Sequence, residues 1–434
     1  MNVPASALQQ QLRAIETDIA AGRLQQAAAA LNAAAAGAPQ DARVYLTGAV
    51  LAHAAGNAQQ ELLSLKRAVQ LAPQWWPAFA ELAKALARQE RLGEAVAVAN
   101  RAVELAPREL AALETAVAVA NSAGDPASAR RHLETALALR PGDLGIRRAL
   151  GVVLDKLHAH ADAEPLWRGI LAEHPDDVSA LGWLGVCLIG MGRFDEARAP
   201  LERALELEPA HATLPFHLAI ARGETPAAQP LATVQQLFDD YANRFDAHLE
   251  GKLQYRLPSR VADIIRKRHP ALDISILDLG CGTGLLGAQL GAIKGAFVGV
   301  DLSRNMLEKA KRLGVYSRLR MNDLVAEMGE IASASFDIVT ANDVFIYVGD
   351  ISAAVQAAHR VLRPGGALIF SCETARESEG ALVLRASKRY AHARSAVEAL
   401  CRDAGFRSCT IETLDLRMDG DSGAIEGFNV VAEK

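Results

Sequence analysis

One residue type recurs at a fixed interval through the first half of the chain. Successive prolines lie 34 residues apart at Pro39, Pro73, Pro107, Pro141, Pro175 and Pro209. Proline lacks a backbone N–H and clashes with the preceding helical turn, so it ends a helix. A period of this length fits one pair of helices per repeat, and such repeats stack on their neighbours along one direction. The sequence therefore predicts an array of helix pairs up to about residue 209.

Small residues keep the same phase. Alanine recurs at two positions of the period, and glycine recurs at Gly22, Gly56, Gly124 and Gly192. Alanine lets paired helices approach closely, and glycine ends the first helix of a pair. Four residues depart from the pattern without breaking its phase: Glu61 and Ile170 replace alanine, and Glu90 and His158 replace glycine.

This pattern resembles the tetratricopeptide repeat. The resemblance implies an all-α superhelix over residues 1–222, with about six repeats and a capping helix near its end. It also implies a groove that binds a protein or peptide partner. Trp167 and Trp183 are expected in the core between repeats, whereas Trp75 and Trp76 precede a helix and are left open to contact with a partner.

The second half is organised around a glycine-rich turn. The apolar run Ile274–Leu279 reads as a strand, Gly280, Gly282 and Gly284 follow it, and Leu285–Leu290 reads as a helix. Glycine suits a tight turn because it adopts dihedrals closed to other residues and lets a ligand approach the backbone. The N–H groups at the helix start favour a polar or anionic ligand group.

A carboxylate follows about 20 residues later. Phe297–Asp301 reads as a second strand that ends in Asp301, which is suitably placed to accept hydrogen bonds from both hydroxyls of a ribose. The glycines do not match the dinucleotide fingerprint, because Leu285 stands where its third glycine is expected. A nucleoside cofactor other than a nicotinamide dinucleotide is therefore favoured.

The glycine turn and three later segments resemble class I S-adenosylmethionine-dependent methyltransferases. The later segments are Asn322–Leu324, Phe336–Asp343 and Val361–Gly366. The resemblance implies an α/β Rossmann-like domain over residues 231–434, with a seven-stranded sheet, an antiparallel last strand and S-adenosyl-L-methionine as cofactor. Residues 223–230 read as a linker between the two domains.

The resemblance also assigns residues to the cofactor. Tyr241, on a lid helix, is expected to close over the methionine end, and Asp278 and Asn342 to orient that end. Asp323 is expected to meet the adenine amino group. The full set is Tyr241, Asp278, Gly280, Cys281, Gly282, Gly284, Asp301, Leu302, Asn322, Asp323, Leu324 and Asn342.

Three residues are candidates for contact with the methyl acceptor. His392 is the candidate proton acceptor, against the alternative of a surface or helix-capping histidine. Asp343 either holds the acceptor or caps the next helix, and Tyr390 shares the uncertainty of His392. A base is needed only if the acceptor must lose a proton during transfer.

Composition limits the other classes of function. Lys and Arg number 46 against 51 Asp and Glu, so no general affinity for nucleic acid is expected. No apolar run approaches the roughly 20 residues of a membrane span, and the first residues do not resemble a signal peptide. The five cysteines lack metal-ligand spacing, so reduced thiols, a cytoplasmic location and no metal site are expected.

Three functions remain open at this point. In the first, a methyltransferase uses its repeats to recruit a protein, peptide or carrier-bound acceptor. In the second, the chain is an interaction protein whose cofactor-binding domain is weakly active. In the third, the enzyme methylates a small molecule and the repeats serve self-association, for example as a homodimer. The sequence does not identify the acceptor.

Overall fold

The computed structural model describes residues 5–239, 256–418 and 424–434. The chain divides into two compact units, Met1–Leu207 and Glu208–Lys434. None of the helices in these described ranges has the length and apolarity that crossing a membrane requires.

The described part of the first unit is entirely helical, as predicted. Its twelve helices follow one another as antiparallel neighbours: α1 Ala5–Ala20, α2 Leu24–Gly37, α3 Ala42–Ala54, α4 Ala58–Leu71, α5 Trp76–Arg88, α6 Leu92–Leu105, α7 Leu110–Ala123, α8 Pro126–Leu139, α9 Leu144–Lys156, α10 His160–Glu173, α11 Val178–Gly190 and α12 Phe194–Leu207.

The residues in phase with the period explain the close packing of these helices. One set of repeating alanines is completely buried: Ala27, Ala95, Ala129, Ala163 and Ala197. The repeating glycines have φ between 59° and 74°, and Glu90 and His158 take the same left-handed conformation with φ of 59° and 55°. The turn geometry is therefore kept even where glycine is replaced, with some backbone strain.

The two replacements of alanine are also explained. Ile170 is fully buried and fills its site with a larger apolar side chain. Glu61 is 4% exposed and forms an ion pair with Arg88, and its carboxylate lies 3.4 Å from Nδ1 of His53. A buried carboxylate needs such partners because its desolvation is costly. The tryptophan rings of Trp167 and Trp183 stack with centroids 6.1 Å apart, and Trp167 is fully buried as expected.

The second unit alternates helices and strands. Its elements are α13 Leu214–Ala221, α14 at residues 231–239, α15 Leu257–Arg268, β1 Ile276–Leu279, α16 Leu285–Leu290, β2 Phe297–Asp301, α17 Arg304–Arg312, β3 Arg318–Met321, α18 Leu324–Glu330, β4 Phe336–Ala341, α19 Ser352–Val361, β5 Leu362–Thr374, β6 Leu382–Leu384, β7 Tyr390–His392, α20 Arg394–Asp403, β8 Ser408–Met418 and β9 Ala424–Glu433.

The sheet has the predicted Rossmann-like arrangement. Strands β3, β2, β1, β4 and β5 are parallel neighbours in that order, and β9 lies antiparallel to both β5 and β8. These seven strands account for the predicted sheet. The three-residue strands β6 and β7 make it nine-stranded within the described residues, because β7 also pairs with the end of β5.

The segment before α14 does not behave as the free linker that its composition suggests. Gln229 is 9% exposed. The segment is hydrogen-bonded to the loop after β4 and to residues at the start of β7: Gln229 N to Tyr347 O (3.1 Å), Asp350 N to Ala227 O (2.7 Å), Tyr390 Oη to Pro226 O (2.8 Å) and Gln229 Nε2 to Lys388 O (2.5 Å). The division into units accordingly falls after Leu207, earlier than the predicted domain boundary at residues 222–231.

This difference generates a prediction about fragments. A fragment of residues 208–434 should unfold cooperatively, whereas residues 231–434 should be less stable because four hydrogen bonds are removed. At about 0.5–1.5 kcal/mol for each net hydrogen bond, the loss is roughly 2–6 kcal/mol. Urea titration followed by circular dichroism measures it.

The control is Tyr390→Phe in the longer fragment, which removes only the hydroxyl that donates to Pro226. It should cost about 1 kcal/mol. Equal stability of the two fragments would show that residues 208–230 contribute nothing to this unit.

Candidate active site

The turn after β1 requires its glycines. Gly280, Gly282 and Gly284 have φ of 62°, 55° and 90°, in the left-handed region. A Cβ atom on Gly280 would lie 2.4 Å from Cγ2 of Val344, and one on Gly284 would lie 2.7 Å from Cδ1 of Leu313. A side chain at these two positions therefore meets both backbone strain and a clash. The turn is held against its neighbours with bare backbone on its surface.

Cys281 lies inside this turn but does not have the properties of a nucleophile. Its side chain is buried, and burial, assisted by the charges of Asp301 and Asp278, raises the pKa of the thiol well above its ordinary value. The thiol is therefore protonated at neutral pH, and the reactive form of a cysteine is the thiolate.

Asp301 connects the turn to the end of β2. Its Oδ2 accepts a hydrogen bond from Gly282 N and its Oδ1 accepts one from Ser303 N, both at 2.8 Å. The backbone N–H of Leu302 also contributes to this carboxylate, whose two oxygens have about four acceptor positions in all, so acceptor capacity remains for a ligand hydroxyl. Burial raises the pKa of Asp301 despite these hydrogen bonds, and the nearby charge of Asp239 adds to the increase.

Helix α14 packs beside this edge. The hydroxyl of Ser303 donates to Oδ1 of Asp239 at 2.5 Å, and Asn305 Nδ2 donates to the carbonyl of Asp239 at 3.2 Å. The ring of Phe238 meets that of Tyr347 edge to face, with centroids 5.3 Å apart. The described part of the predicted lid helix therefore spans from the end of β2 to the loop after β4. Tyr241 lies outside the described residues.

Asp278 is directed toward two hydroxyl groups of the protein. It is 2% exposed and accepts hydrogen bonds from Thr340 Oγ1 at 2.7 Å and from Tyr316 Oη at 2.9 Å. Burial raises its pKa to about 6, and the two hydrogen bonds oppose that increase. Asp278 thus braces β1 against β4 from beneath the turn, and its predicted contact with the cofactor stays a prediction.

Tyr316 is a site residue that the sequence reasoning missed. Cβ atoms built on Gly287 and Gly299 would lie 2.8 Å and 3.1 Å from its ring. These glycines, outside the turn itself, make room for the phenol that reaches Asp278. These two glycines were the sequence signal that could have indicated a large side chain packed here, because neither of them is needed for the glycine turn. Burial and the charge of Asp278 raise the pKa of Tyr316, so its hydroxyl remains a donor.

The segment after β3 contains Asp323, whose predicted contact with adenine stays a prediction. Oδ1 of Asp323 accepts from the N–H groups of Val325 and Ala326, both at 2.9 Å, and so caps α18. Among the described residues, none donates to Oδ2 of Asp323. Asn322 donates from Nδ2 to Glu327, and Leu324 is the first residue of α18. Asp323 is thereby fixed with one oxygen still able to accept a hydrogen bond.

Asn342 and Asp343 follow β4. Oδ1 of Asn342 is buried, and no described residue donates a hydrogen bond to it. A buried acceptor without a donor is costly, so a ligand donor at this place is favoured. Asp343 has φ of 59°, and its N–H donates to Ser371 Oγ at 2.8 Å. This strained position holds the turn that presents Asn342.

His392 and Tyr390 belong to β7 and are both buried, not at the surface. Nε2 of His392 lies 2.8 Å from the carbonyl oxygen of Gly349. A carbonyl only accepts, so Nε2 carries the proton in the neutral ring and Nδ1 carries the lone pair. Nδ1 is buried and has no partner among the described residues, and burial lowers the pKa of His392. His392 is therefore a neutral imidazole whose basic nitrogen is buried and has no partner among the described residues.

Tyr390 is positioned differently from a proton acceptor. Its hydroxyl donates to the Pro226 carbonyl at 2.8 Å, and burial raises its pKa to about 12. The ring also packs on Gly349, where a Cβ atom would lie 2.7 Å from it. These contacts favour a role in holding residues 226–230, and the catalytic role predicted for Tyr390 is untested.

Strand order brings the other candidates to one edge. Asp323, Asp301, Gly280, Asn342 and His392 follow or end β3, β2, β1, β4 and β7. These strands and β5 form a continuous parallel set, so their carboxyl ends share one edge. The order reverses between β1 and β4, and ligands of open α/β sheets bind at such a point.

Comparison with known proteins gives the same assignment for both halves. The family model described as a methyltransferase domain matches residues 277–370. Two models described as tetratricopeptide repeats match residues 119–167 and 158–214. The chain carries tetratricopeptide repeats and a methyltransferase domain. S-adenosylmethionine stays the cofactor that the resemblance implies for that domain.

Curated relatives match part of the chain. It is 30% identical over 138 residues to the ubiquinone biosynthesis O-methyltransferase of Hahella chejuensis, covering 31% of this chain and 58% of that protein. Identity to the protein of the same name from Pseudomonas syringae pv. tomato is 36% over 104 residues, or 22% and 43% of the two chains. The chain thus spans less than two thirds of the length of these relatives.

Among solved structures, the chain is similar to YrrB, a protein of tetratricopeptide repeats with an unusual peptide-binding site. The identity is 18%, the match covers 44% of this chain and 97% of that one, and the TM-score is 0.39.

The described residues fit S-adenosylmethionine. Asn342 has a buried oxygen that lacks a donor, which suits an ammonium group. Asp301 keeps acceptor capacity for a ribose hydroxyl, and Asp323 has an oxygen that can accept from an amino group. Each of these groups is chemically complementary to one part of the cofactor, and the contacts themselves stay a prediction.

The cofactor contact of Asp301 is testable. Asp301→Ala removes a charge-assisted acceptor, so affinity for S-adenosylhomocysteine should fall by roughly 2–4 kcal/mol. Titration calorimetry measures the change. Asp263→Ala on α15 is the control, because Asp263 is exposed and pairs only with its helix neighbour Arg266 among the described residues. An unchanged affinity in folded Asp301→Ala would remove Asp301 from the site.

Proposed function

We propose that this chain transfers a methyl group from S-adenosylmethionine to an acceptor recruited by its repeats. The observation that carries the proposal is the shared edge of the sheet. It combines three acceptor groups suited to the cofactor with a neutral histidine whose basic nitrogen lacks a partner among the described residues. Such an edge would provide both a methyl-donor site and a proton acceptor.

Positioning is the main task of the protein in this reaction. The cofactor supplies a methyl group that its sulfonium already activates. The glycine turn, Asp301 and Asn342 would hold it, and the loop after β4 would hold the acceptor in line with the methyl group. Fixing both partners in a reactive geometry lowers the entropic part of the barrier.

His392 is proposed to remove the acceptor's proton. Gly349 fixes its tautomer through Nε2, which leaves the lone pair of Nδ1 to accept. Thr374 lies opposite His392 in the β5–β7 register, so the two side chains share one face of the sheet. Its Oγ1 is buried and also lacks a partner among the described residues. An acceptor hydroxyl there would meet both a base and a second polar group.

Two observations bear on the acceptor atom. Several relatives are named O-methyltransferases. Methylation of a hydroxyl requires loss of its proton, which agrees with an available base at His392. We therefore propose an oxygen acceptor. These relatives also favour the second candidate function, in which the acceptor is a free small molecule and the repeats serve self-association.

The role of His392 has a direct test. His392→Gln keeps a donor for the Gly349 carbonyl but removes the basic nitrogen, so kcat should fall by about 10²–10⁴ while cofactor affinity is retained. Because burial lowers the pKa of His392 below 6.5, the wild-type rate should hold at pH 6.5 and fall only at lower pH. That acidic limb should be absent from the variant. A variant with the wild-type rate and pH profile would exclude His392 as the base.

The recruiting role of the repeats has a separate test. Deleting residues 1–207 should leave cofactor affinity unchanged, while transfer of labelled methyl into the acceptor present in a cell lysate falls by about tenfold or more at low acceptor concentration. The physical reason is the loss of effective concentration at the site. Scintillation counting after separation of large from small products measures the transfer and identifies the acceptor class.

Raising the acceptor concentration should partly restore the rate of the shortened protein, because only recruitment is lost. Equal rates of both proteins at low acceptor concentration would contradict recruitment and favour the small-molecule reading.

A further inference from the structure

Three potential metal ligands from three successive helices converge in the repeat unit. Asp155 lies near the end of α9, His160 is the first residue of α10 and Cys187 lies in the last turn of α11. In the described ranges, one carboxylate oxygen, one imidazole nitrogen and the thiol sulfur of this group all lie within 4.8 Å of one another. The spacing of 27 residues between His160 and Cys187 hides this group from a search for sequence motifs.

The geometry differs from that of an ordinary ion pair. Nδ1 of His160 and Oδ1 of Asp155 are 3.2 Å apart. Both atoms are nonetheless buried without a hydrogen-bond partner among the described residues. The ring N–H direction therefore does not meet the carboxylate oxygen, as a hydrogen bond requires. Nδ1 of His160 and Oδ1 of Asp155 thus lie side by side without a hydrogen bond between them. Two ligand atoms of one metal ion have this same arrangement.

The distances agree with a zinc ion. Zn–S and Zn–N bonds of about 2.3 and 2.0–2.1 Å separate a tetrahedral sulfur and nitrogen by roughly 3.6 Å, and a nitrogen and oxygen by roughly 3.4 Å. The observed 3.2 Å between Asp155 and His160 is close to the second value. The sulfur of Cys187 lies within 4.8 Å of the other two ligand atoms, so a small side-chain rotation is enough to reach a sulfur–nitrogen separation of roughly 3.6 Å.

The surroundings hold the imidazole in place. A Cβ atom on Gly190 would lie 2.3 Å from Nε2 of His160, so the ring packs on the bare backbone at the end of α11. The side chains of Asp155 and His160 are only 15% and 13% exposed, and Cys187 is fully buried. Three helices from neighbouring pairs thus present their ligands in a largely enclosed space with limited access for solvent.

We propose that Asp155, His160 and Cys187 bind a zinc ion that joins neighbouring repeats. The Cys187 thiol would lose its proton to solvent on binding, because the thiolate is the ligand. One thiolate, one imidazole and one carboxylate suit Zn²⁺ better than Ca²⁺ or Mg²⁺, which prefer oxygen alone. A water molecule completes the four-coordinate ion. This site is independent of the proposed methyl transfer and replaces the expectation that the chain has no metal site.

The test uses the full chain, freed of metal with a chelator and titrated with Co²⁺, which substitutes for Zn²⁺ and is coloured. Wild type should bind one tight equivalent and show a near-ultraviolet thiolate-to-cobalt charge-transfer band, which Zn²⁺ then displaces. Cys187→Ser is nearly isosteric and should lose the band. Asp155→Asn keeps the side-chain shape and should weaken Zn²⁺ binding by about tenfold or more, as removal of a group that supports a metal does.

Cys409→Ser is the matched control, because Cys409 is a half-buried free cysteine in the other unit. It should keep the band and the affinity. Each protein is also melted with and without Zn²⁺, and the rise in melting temperature seen for wild type should be absent for Cys187→Ser. This comparison within one variant separates metal binding from any cost of the substitution itself.

Three results would overturn the proposal. The first is the absence of a charge-transfer band from folded wild type. The second is a band that persists in Cys187→Ser, which would place the thiolate elsewhere. The third is an unchanged Zn²⁺ affinity in Asp155→Asn, which would indicate adventitious binding.

Discussion

The methyltransferase unit depends on two carboxylates at adjacent strands. Asp301 accepts hydrogen bonds from Gly282 and Ser303, and so fixes the glycine turn to the end of β2. Asp278 accepts from Thr340 and Tyr316, and so ties the same turn to β4 from below. A turn whose glycines have positive φ has little stability of its own. Its shape is imposed by these side-chain acceptors, and the cofactor surface depends on them.

The burial of Asp278 and Asp301 changes their electrostatics. Burial raises the pKa of both Asp278 and Asp301, because the charged form is disfavoured away from water. Every hydrogen bond donated to them lowers that cost. For Asp301, ribose hydroxyls would add donors to an acceptor that is not yet saturated. Asp301 can therefore accept further hydrogen bonds from a ligand that carries hydroxyl groups. In the same way, the unpartnered oxygen of Asn342 can accept a hydrogen bond from an ammonium group.

Much of the fold could be predicted because it depends on residues that recur at short, regular intervals in the sequence. The 34-residue phase of proline, alanine and glycine predicts the helix pairs, and in the structure the repeating alanines are buried and the repeating glycines are left-handed. The glycine turn and Asp301 were equally visible, since turn, strand and carboxylate are close in sequence. What escaped prediction depends on residues distant in sequence. Tyr316 matters because it fits against Gly287 and Gly299, a relation that only the fold creates.

The segment at residues 223–230 is a second case in which contacts between residues distant in sequence could not be predicted. Its prolines and glycine are typical of a linker, and composition contains no sign of bonds to residues more than 100 positions away. Yet Tyr390 donates to Pro226 across 164 residues of sequence. The conformation of this segment is therefore determined by tertiary hydrogen bonds, whereas the conformation of the repeats is determined by the preferences of neighbouring residues.

These bonds also give the segment a place in the chemistry. Gln229 and Ala227 bond to the loop that includes Tyr347 and Asp350, and the carbonyl of Gly349 in that loop fixes the tautomer of His392. The residues that enter the methyltransferase unit from the repeat side therefore support the loop that orients the proposed base.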